Sequence, residues 1–541
     1  MSEKIEKGKN YKDFECLDIF EVADYHSTVV YLRQLKTGLE VFHMVNSDPE
    51  NLFSFAFKTP NEKSTGAAHI LEHSVLCGSE NFPLKDPFVN LSNQSVKTYL
   101  NAMTYPDRTV FPASSIVKAD YFNLMNVYGD AVFFPKLEKE IFLQEAHRLE
   151  IDENGTPSIQ GVVYNEMKGN YSSFDSVAGD ACNISLLRDC IYEKDSGGDP
   201  LEIPKFTYEE FLAFHRRWYR PDNCFVFLYG NIPTEEQLDF IQEHFLERLE
   251  KKYPDIVVSE KNRLDNLNQF LKYVTPVEIK APFEFACEGP ASEEESSSGD
   301  TVVVNWSLGP TENAEKSMLN TVIAGILMNH DGSPLQKALV DSGLGEDMAP
   351  QSGLSNYIYH SMLSIGLRGV KKGDAKKVED LVLNTLQKLA DEGIKESDIQ
   401  STMMSLEFSQ REIKRSGGPY SLVLMNRPIF GWLYGFDVRK QFKLRSILEE
   451  IRSKIKNEKG FLENKIRELL IENPRRSLVV VTPSKEFNAN RERLEKELID
   501  SLMQKTSVEN VKADCEKLHE FQRKNGRQFL LASFESKRFL C

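Results

Sequence analysis

The chain has 541 residues, of which 40% are hydrophobic, 27% charged and 10% aromatic, and its formal net charge is −16. That length accommodates roughly two to four domains, and the composition excludes wholesale disorder and a fibrous repeat. The acidic balance opposes phosphate backbones, so no nucleic-acid partner is expected; it favours basic or neutral partners, or serves only solubility.

From the N-terminus, Met1–Phe20 carries several acids and no apolar core, so neither a secretory nor an Arg-rich transit peptide is expected. No run nears the roughly 20 apolar residues of a membrane span, so no membrane partner is expected. The cysteines (Cys16, Cys77, Cys182, Cys190, Cys224, Cys287, Cys515 and Cys541) form no CxxC pair. They read as reduced thiols of a cytoplasmic protein. Ser64–Gly78 reads as a short helix started by Ser64 or Thr65 and ended by Gly78. Ser115 is expected to cap a helix running through Tyr121 and Leu124. Gly161–Gly169 reads as a short apolar strand running into a helix, with Glu166 near the junction.

A basic tract, His215–Arg220, then leads to a strand, Cys224–Tyr229, and a turn at Gly230, Asn231 and Pro233. A helix follows, with Thr234 and Gln237 as a capping box and Leu238, Ile241 and Phe245 along one face. Glu288–Asp300 is acidic and Ser-rich and reads as a loop; Thr301–Trp306 reads as a strand opening a new unit. Asp374 caps a predicted helix with Val378, Val382, Leu386 and Leu389 on one face. Pro474–Arg476 leads to the strand Leu478–Val481, the turn Thr482–Ser484 and a helix from about Glu486. The same basic-strand-turn-helix ending twice points to a duplicated α+β unit. The segment 485–541 reads as helical, charged in its first half; its apolar end, Phe529–Phe534, is assigned to neither lobe.

The chemistry sits in His69-Ile-Leu-Glu72-His73. Histidines four apart project from one face of a helix, which lets two nitrogens reach one Zn²⁺ at about 2.0–2.1 Å. Glu72 flanks the two and can take a proton from a metal-activated water. The order His-x-x-Glu-His is the inverse of the common zincin motif. The bland alternative is a surface helix with ordinary polar histidines. A catalytic zinc usually has three protein ligands, and Glu166 is a candidate third, though by itself it also reads as a solvated helix residue. The other histidines stand singly and read as structural or surface. Cys77, one turn beyond the motif, reads as a structural thiol or a redox-sensitive one.

These residues resemble peptidase family M16, the pitrilysin–insulysin group, and within it the presequence-protease (M16C) branch. The matching stretches are His69–Ser79, Phe82–Phe88, Thr98–Thr109, Gly161–Gly169, Tyr219–Asn223, Gly332–Leu335 and Gly435–Val438. The resemblance covers roughly residues 15 to 490. It implies an α+β fold of two homologous M16-type (LuxS/metallohydrolase-like) domains, each an antiparallel-rich sheet packed with helices. The expected division is a catalytic domain at 1–265, a second M16-like domain at 266–484, and the truncated start of a helical linker at 485–541. It implies one Zn²⁺ per chain held by His69, His73 and Glu166, with Glu72 as general base. It also implies an edge strand at Asn101 and Ala102 that pairs with an extended peptide substrate, a binding mode that does not read side chains.

Members of the family degrade short unfolded peptides in a chamber closed by two halves, and an acidic wall would suit basic peptides. This chain departs from that pattern: the second half, with the Arg–Tyr pair that grips substrate, is not assignable. The expectations are therefore a truncated product, a chain that works with a C-terminal-half subunit, or self-association. In function they are a zinc-dependent metalloendopeptidase, or a non-catalytic or incomplete half-subunit that binds peptides or a partner.

Overall fold

The computed structural model describes residues 5–83, 87–291, 299–311, 313–411 and 418–535. The first sheet begins with β1 (Asn10–Tyr11), β2 (Phe14–Val22), β3 (Ser27–Gln34), β4 (Glu40–Val45) and β5 (Asn51–Lys58). It continues with β6 (Tyr99–Leu100), β7 (Met103–Thr104) and β8 (Arg108–Ser115). A separate antiparallel hairpin of β9 (Arg148–Ile151) and β10 (Pro157–Gln160) follows, and β11 (Cys224–Gly230) then returns to the first sheet. The strand order is β1-β2-β3-β4-β11-β5-β8-β6, with β7 also on β8. Only β4 and β11 run parallel.

The second sheet comprises β12 (Phe283–Pro290), β13 (Asp300–Pro310), β14 (Asp347–Met348), β15 (Gly353–Ser355), β16 (His360–Val370) and β17 (Arg476–Ser484). Its order is β12-β17-β13-β16-β14, with β15 on β16, and only β12 and β17 run parallel. The two sheets repeat one plan. In each, the last strand in sequence inserts between a parallel neighbour and an antiparallel one: β11 between β4 and β5, β17 between β12 and β13. These are the two strands that follow the basic tracts, so the repeat in sequence is a repeat in topology. The fold is α+β.

Burial explains the first sheet. Every residue of β5, Asn-Leu-Phe-Ser-Phe-Ala-Phe-Lys, is buried, because both faces of the strand are covered. On one face Phe53, Phe55 and Phe57 meet Tyr121, Phe133, Tyr219 and Phe245, and the helix Ala67–Val75 packs there through Ile70, Leu71 and Val75. Each such aromatic contributes about 1.5–3 kcal/mol by burial. The other face is covered from the second half of the chain: Leu424, Ile429 and Leu433 of the helix Ser421–Tyr434 pack on Phe42, Phe225 and Phe227. The two units therefore share a core.

Several local expectations are corrected. The second sheet opens at β12, not at Thr301, and Glu288–Pro290 belong to that strand; residues 292–298 of the acidic stretch lie outside the described residues. Strand β12 alternates half-buried and exposed positions over Phe283–Glu288, as an edge strand with one solvated face does. Ser115 ends β8, and the helix Lys118–Phe133 follows Val117 without a side-chain cap. Thr234 is already helical: its hydroxyl meets His43 Nδ1 at 2.8 Å, and Gln237 donates to Ile232 O at 3.0 Å, so tertiary bonds replace the expected capping box. Asp374 does precede the helix Ala375–Glu392, but its carboxylate pairs with Lys377.

After the second sheet the chain returns to the first unit. The helix Lys485–Met503 packs Leu498, Ile499 and Leu502 on the first core, and Val508–Glu535 runs against the helix Lys139–Glu145 and β9. The side chains of Phe529–Phe534 lie outside the described residues. No described helix is long and apolar enough to cross a membrane, and no disulfide joins the described cysteines.

Candidate metal centre

The helix Ala67–Val75 buries Ala67, Ala68, Ile70, Leu71 and Val75, leaving His69, Glu72 and His73 half-buried on its other side. Its start differs from the sequence expectation. Asn61 Oδ1 accepts from Ala68 N at 3.2 Å, whereas Ser64 Oγ accepts from Asp195 N at 3.1 Å in a distant loop. Gly66 precedes the helix at φ 67°, and a Cβ there would lie 2.6 Å from Gly197 O. Glycine thus lets the loop carrying Gly197 lie against the start of the helix.

Glu166 lies in the middle of the helix Val162–Asn170. Val162–Tyr164 form its first turn and not a strand; the strand ends at Gln160. Val163, Tyr164 and Met167 bury one side and leave Glu166 on the open one. Glu166 Oε2 lies 3.7 Å from His69 Nε2 and 3.8 Å from His73 Nε2. Donor atoms of all three residues lie within 4.8 Å of one another. Two donors each about 2.0–2.2 Å from one tetrahedral ion stand about 3.3–3.6 Å apart, close to the two distances from Glu166 Oε2.

The other ring nitrogens are engaged. With the proton on Nδ1, His69 donates to Gly197 O at 3.1 Å and His73 donates to Glu145 Oε2 at 3.3 Å. Both Nε2 lone pairs are thereby turned toward Glu166, which is how imidazoles that hold a metal are oriented. Glu145 is buried and also accepts from Gln144 Nε2 at 2.7 Å and Cys77 Sγ at 3.5 Å. Burial pushes its carboxyl up, but the His73, Gln144 and Cys77 hydrogen bonds outweigh that and hold it below the ordinary range. Burial likewise opposes charge on His73, and the bond to Glu145 with the nearby charges of Glu72 and Glu166 raises it above its ordinary value. Glu145 belongs to no sequence motif. Cys77 is half-buried behind the site, with Sγ also donating to His73 O at 3.4 Å.

A cavity of about 590 Å³ opens beside these residues, lined by His69, Glu72, Ala102, Glu166, Asp180 and Asp195 among others, and by no Lys or Arg among the described residues. Burial, with the like charges of Asp195 and Asp199, pushes the Asp180 carboxyl up to about 7. The folded state therefore holds this proton more tightly than the unfolded chain does, and stability falls as pH rises from about 4 through about 7. Asp180→Asn should raise the urea midpoint at pH 8 and leave it unchanged at pH 4. The full shift corresponds to about 4 kcal/mol, and the partial exposure of the side chain reduces it to about 1–2. An equal gain at both pH values would refute this.

Asn101 and Ala102 sit between β6 and β7 at the edge of the first sheet. The expected continuous strand is interrupted at these two residues. Asn101 N donates to Pro112 O at 3.3 Å and Tyr128 OH donates to Asn101 O, while Ala102 faces the cavity.

This architecture is that of known proteases. A solved protease from Helicobacter pylori superposes with a TM-score of 0.63 at 16% identity, over 84% of this chain and 99% of that one. The family model described as the peptidase M16 inactive domain matches residues 205–406, a stretch that contains none of His69, Glu72, His73 and Glu166. Presequence protease 1, chloroplastic/mitochondrial, of Arabidopsis thaliana is 35% identical over 510 residues, 92% of this chain and 45% of that protein. Protein HypA of Clostridium perfringens is 34% identical over 519 residues, 95% and 51%. The chain belongs to peptidase family M16. It spans about half the length of these curated relatives.

Proposed function

We propose that this chain carries the catalytic centre of a zinc metalloendopeptidase acting on short unstructured peptides. The observation that carries the reading is the convergence of His69 Nε2, His73 Nε2 and Glu166 Oε2, with both Nδ1 atoms already engaged. On this reading these three residues hold one Zn²⁺ per chain. Zinc supplies a Lewis acid that lowers the pKa of a water toward about 7. Glu72, on the same helix and facing the same cavity, takes the proton from the attacking water and returns it to the leaving amine. The sheet edge at Asn101 and Ala102 receives the peptide backbone, and the acidic lining favours basic peptides.

A second reading has the chain as a half-subunit that binds peptide and needs a separate C-terminal-half subunit, or a second copy of itself, for turnover. It is favoured by the match of residues 205–406 to the peptidase M16 inactive domain, a stretch without any of the proposed donors. Metal analysis separates the readings. Purified protein should contain about one zinc per chain and His69→Ala far less; a Lys-rich peptide should be cleaved faster than a Glu-rich one at low salt, and chelation should abolish cleavage of both. Wild type without zinc ends the catalytic reading. Zinc without cleavage, relieved by adding a second-half chain, establishes the half-subunit.

A further inference from the structure

We infer that the two helices following the second sheet, Lys485–Met503 and Val508–Glu535, position all three donors of the proposed centre, with Arg491, Glu495 and Gln522 as the positioning residues; the inference rests on the zinc reading above. Three separate routes, made of hydrogen bonds and one cation–ring contact, connect them to the donors.

The first leads to Glu166. Glu495 Oε1 accepts from Tyr164 OH at 2.7 Å and from Lys168 Nζ at 2.7 Å, and Oε2 accepts from Lys168 at 2.8 Å. Tyr164 and Lys168 stand two residues before and two after Glu166. One carboxylate thus grips the helix on both sides of the donor and fixes its rotation. The gripped helix has nine residues, too few to be firmly helical without tertiary contacts.

The second route leads to His69. Arg491 donates to Asp199 Oδ1 at 2.6 Å and lies over the Tyr171 ring at 4.3 Å. Tyr171 OH donates to Asp195 Oδ2 at 3.0 Å, and Asp195 Oδ1 accepts from Gly197 N at 2.8 Å. Gly197 O is the acceptor that orients His69. Arg491 therefore holds both ends of the Asp195–Asp199 loop, one directly and one through Tyr171.

The third route leads to His73. Gln522 Nε2 donates to Gln144 Oε1 at 2.9 Å, Gln144 Nε2 donates to Glu145 Oε1 at 2.7 Å, and Glu145 Oε2 accepts from His73. The helices are anchored by apolar contacts. Arg491, Glu495, Leu498, Ile499 and Leu502 share one helix face, on which the three apolar residues meet the first core. Val511 and Leu518 are buried along the following helix.

The test is zinc affinity of the full chain, by competition with a chelating dye well below the melting transition. Changing partners of metal-holding residues typically weakens metal binding about 10–100-fold. Glu495→Ala and Arg491→Met should each weaken zinc about tenfold or more, and Gln522→Ala by a smaller factor. Glu495→Ala and Lys168→Ala should be coupled, the double variant binding zinc no more weakly than Glu495→Ala alone. If Glu495→Ala does not fold, Glu495→Gln, which keeps an acceptor for Tyr164, supplies the same comparison with an intermediate loss. Variants within twofold of wild type, or losses that simply multiply, overturn the inference. Wild type without zinc overturns the zinc reading and this inference with it, whereas zinc-loaded wild type with unaffected variants overturns this inference alone.

Discussion

Glu72→Gln is expected to lower kcat by about 10²–10⁴-fold while zinc content and melting temperature stay at wild-type values. The amide keeps the size and hydrogen-bonding shape of the carboxylate, so the cavity wall is preserved, but it cannot take a proton at neutral pH. The residue is half-buried on the helix that also bears His69 and His73, and the other side of that helix is packed into the core. The substitution thus leaves the helix in place. Because His69, His73 and Glu166 are the proposed donors, metal should remain and KM should move little. Single-turnover cleavage beside metal analysis reads both quantities. Loss of zinc together with activity would make Glu72 a structural or metal-holding residue, and unchanged cleavage would remove it from the chemistry.

The parts of the centre that the sequence exposes are those whose spacing is local. His69, Glu72 and His73 fall within five residues, so helical periodicity alone places them together. Glu166 lies 93 residues beyond His73, so by itself it is one candidate carboxylate that only the family resemblance singles out; its surroundings differ from the sequence expectation, since Val162 and Val163 suggest a strand by β-branching while burial of Val163, Tyr164 and Met167 makes a helix. Glu145 and the Gly197 carbonyl carry no pattern at all. One is a single acid in an ordinary helix, the other a backbone group, and each acquires meaning only when the fold brings it to an imidazole. The same reason hides Arg491, Glu495 and Gln522, whose partners lie more than 290 residues earlier in the chain. At the level of fold, the duplicated ending was visible because a buried central strand reads as a continuous apolar run, as Cys224–Tyr229 and Leu478–Val481 do. Strand β12, with one solvated face and charges at Glu284 and Glu288, gives no such run. Thr234 and Gln237 carry the letters of a cap, and only the fold reveals His43 and Tyr121 as their partners.

Asp107→Ala is expected to destabilise the protein by about 3–5 kcal/mol, because it strands a buried cation. Asp107 has no exposure; its Oδ1 accepts from Arg108 Nη1 at 2.9 Å, and its Oδ2 accepts from Tyr192 OH at 2.6 Å and Tyr434 OH at 2.5 Å. Tyr434 ends the helix from the second half of the chain that covers the first sheet, and Tyr192 OH in turn accepts from Tyr359 N at 3.1 Å. Arg108 also donates to Tyr357 O at 3.2 Å and lies against Tyr105 and Phe430. One carboxylate therefore ties the two units together at a point where water cannot replace it. Urea unfolding should show the loss, and Asp107→Ala with Arg108→Met should cost less than the two single changes added, since the double change removes the uncompensated charge. A cost below about 1 kcal/mol, or strict additivity, would show that the pair carries no such tie. The position of Asp107 also sets which catalytic constant moves. It lies in the turn between β7 and β8, and β8 is the strand on which both β6 and β7, and hence the edge at Asn101 and Ala102, are paired. Loosening that turn disturbs the surface proposed to receive the peptide backbone while leaving the helix of His69, Glu72 and His73 packed on the opposite face of the sheet. The folded fraction of Asp107→Ala should consequently show a raised KM with kcat near wild type, the reverse of the pattern expected for Glu72→Gln.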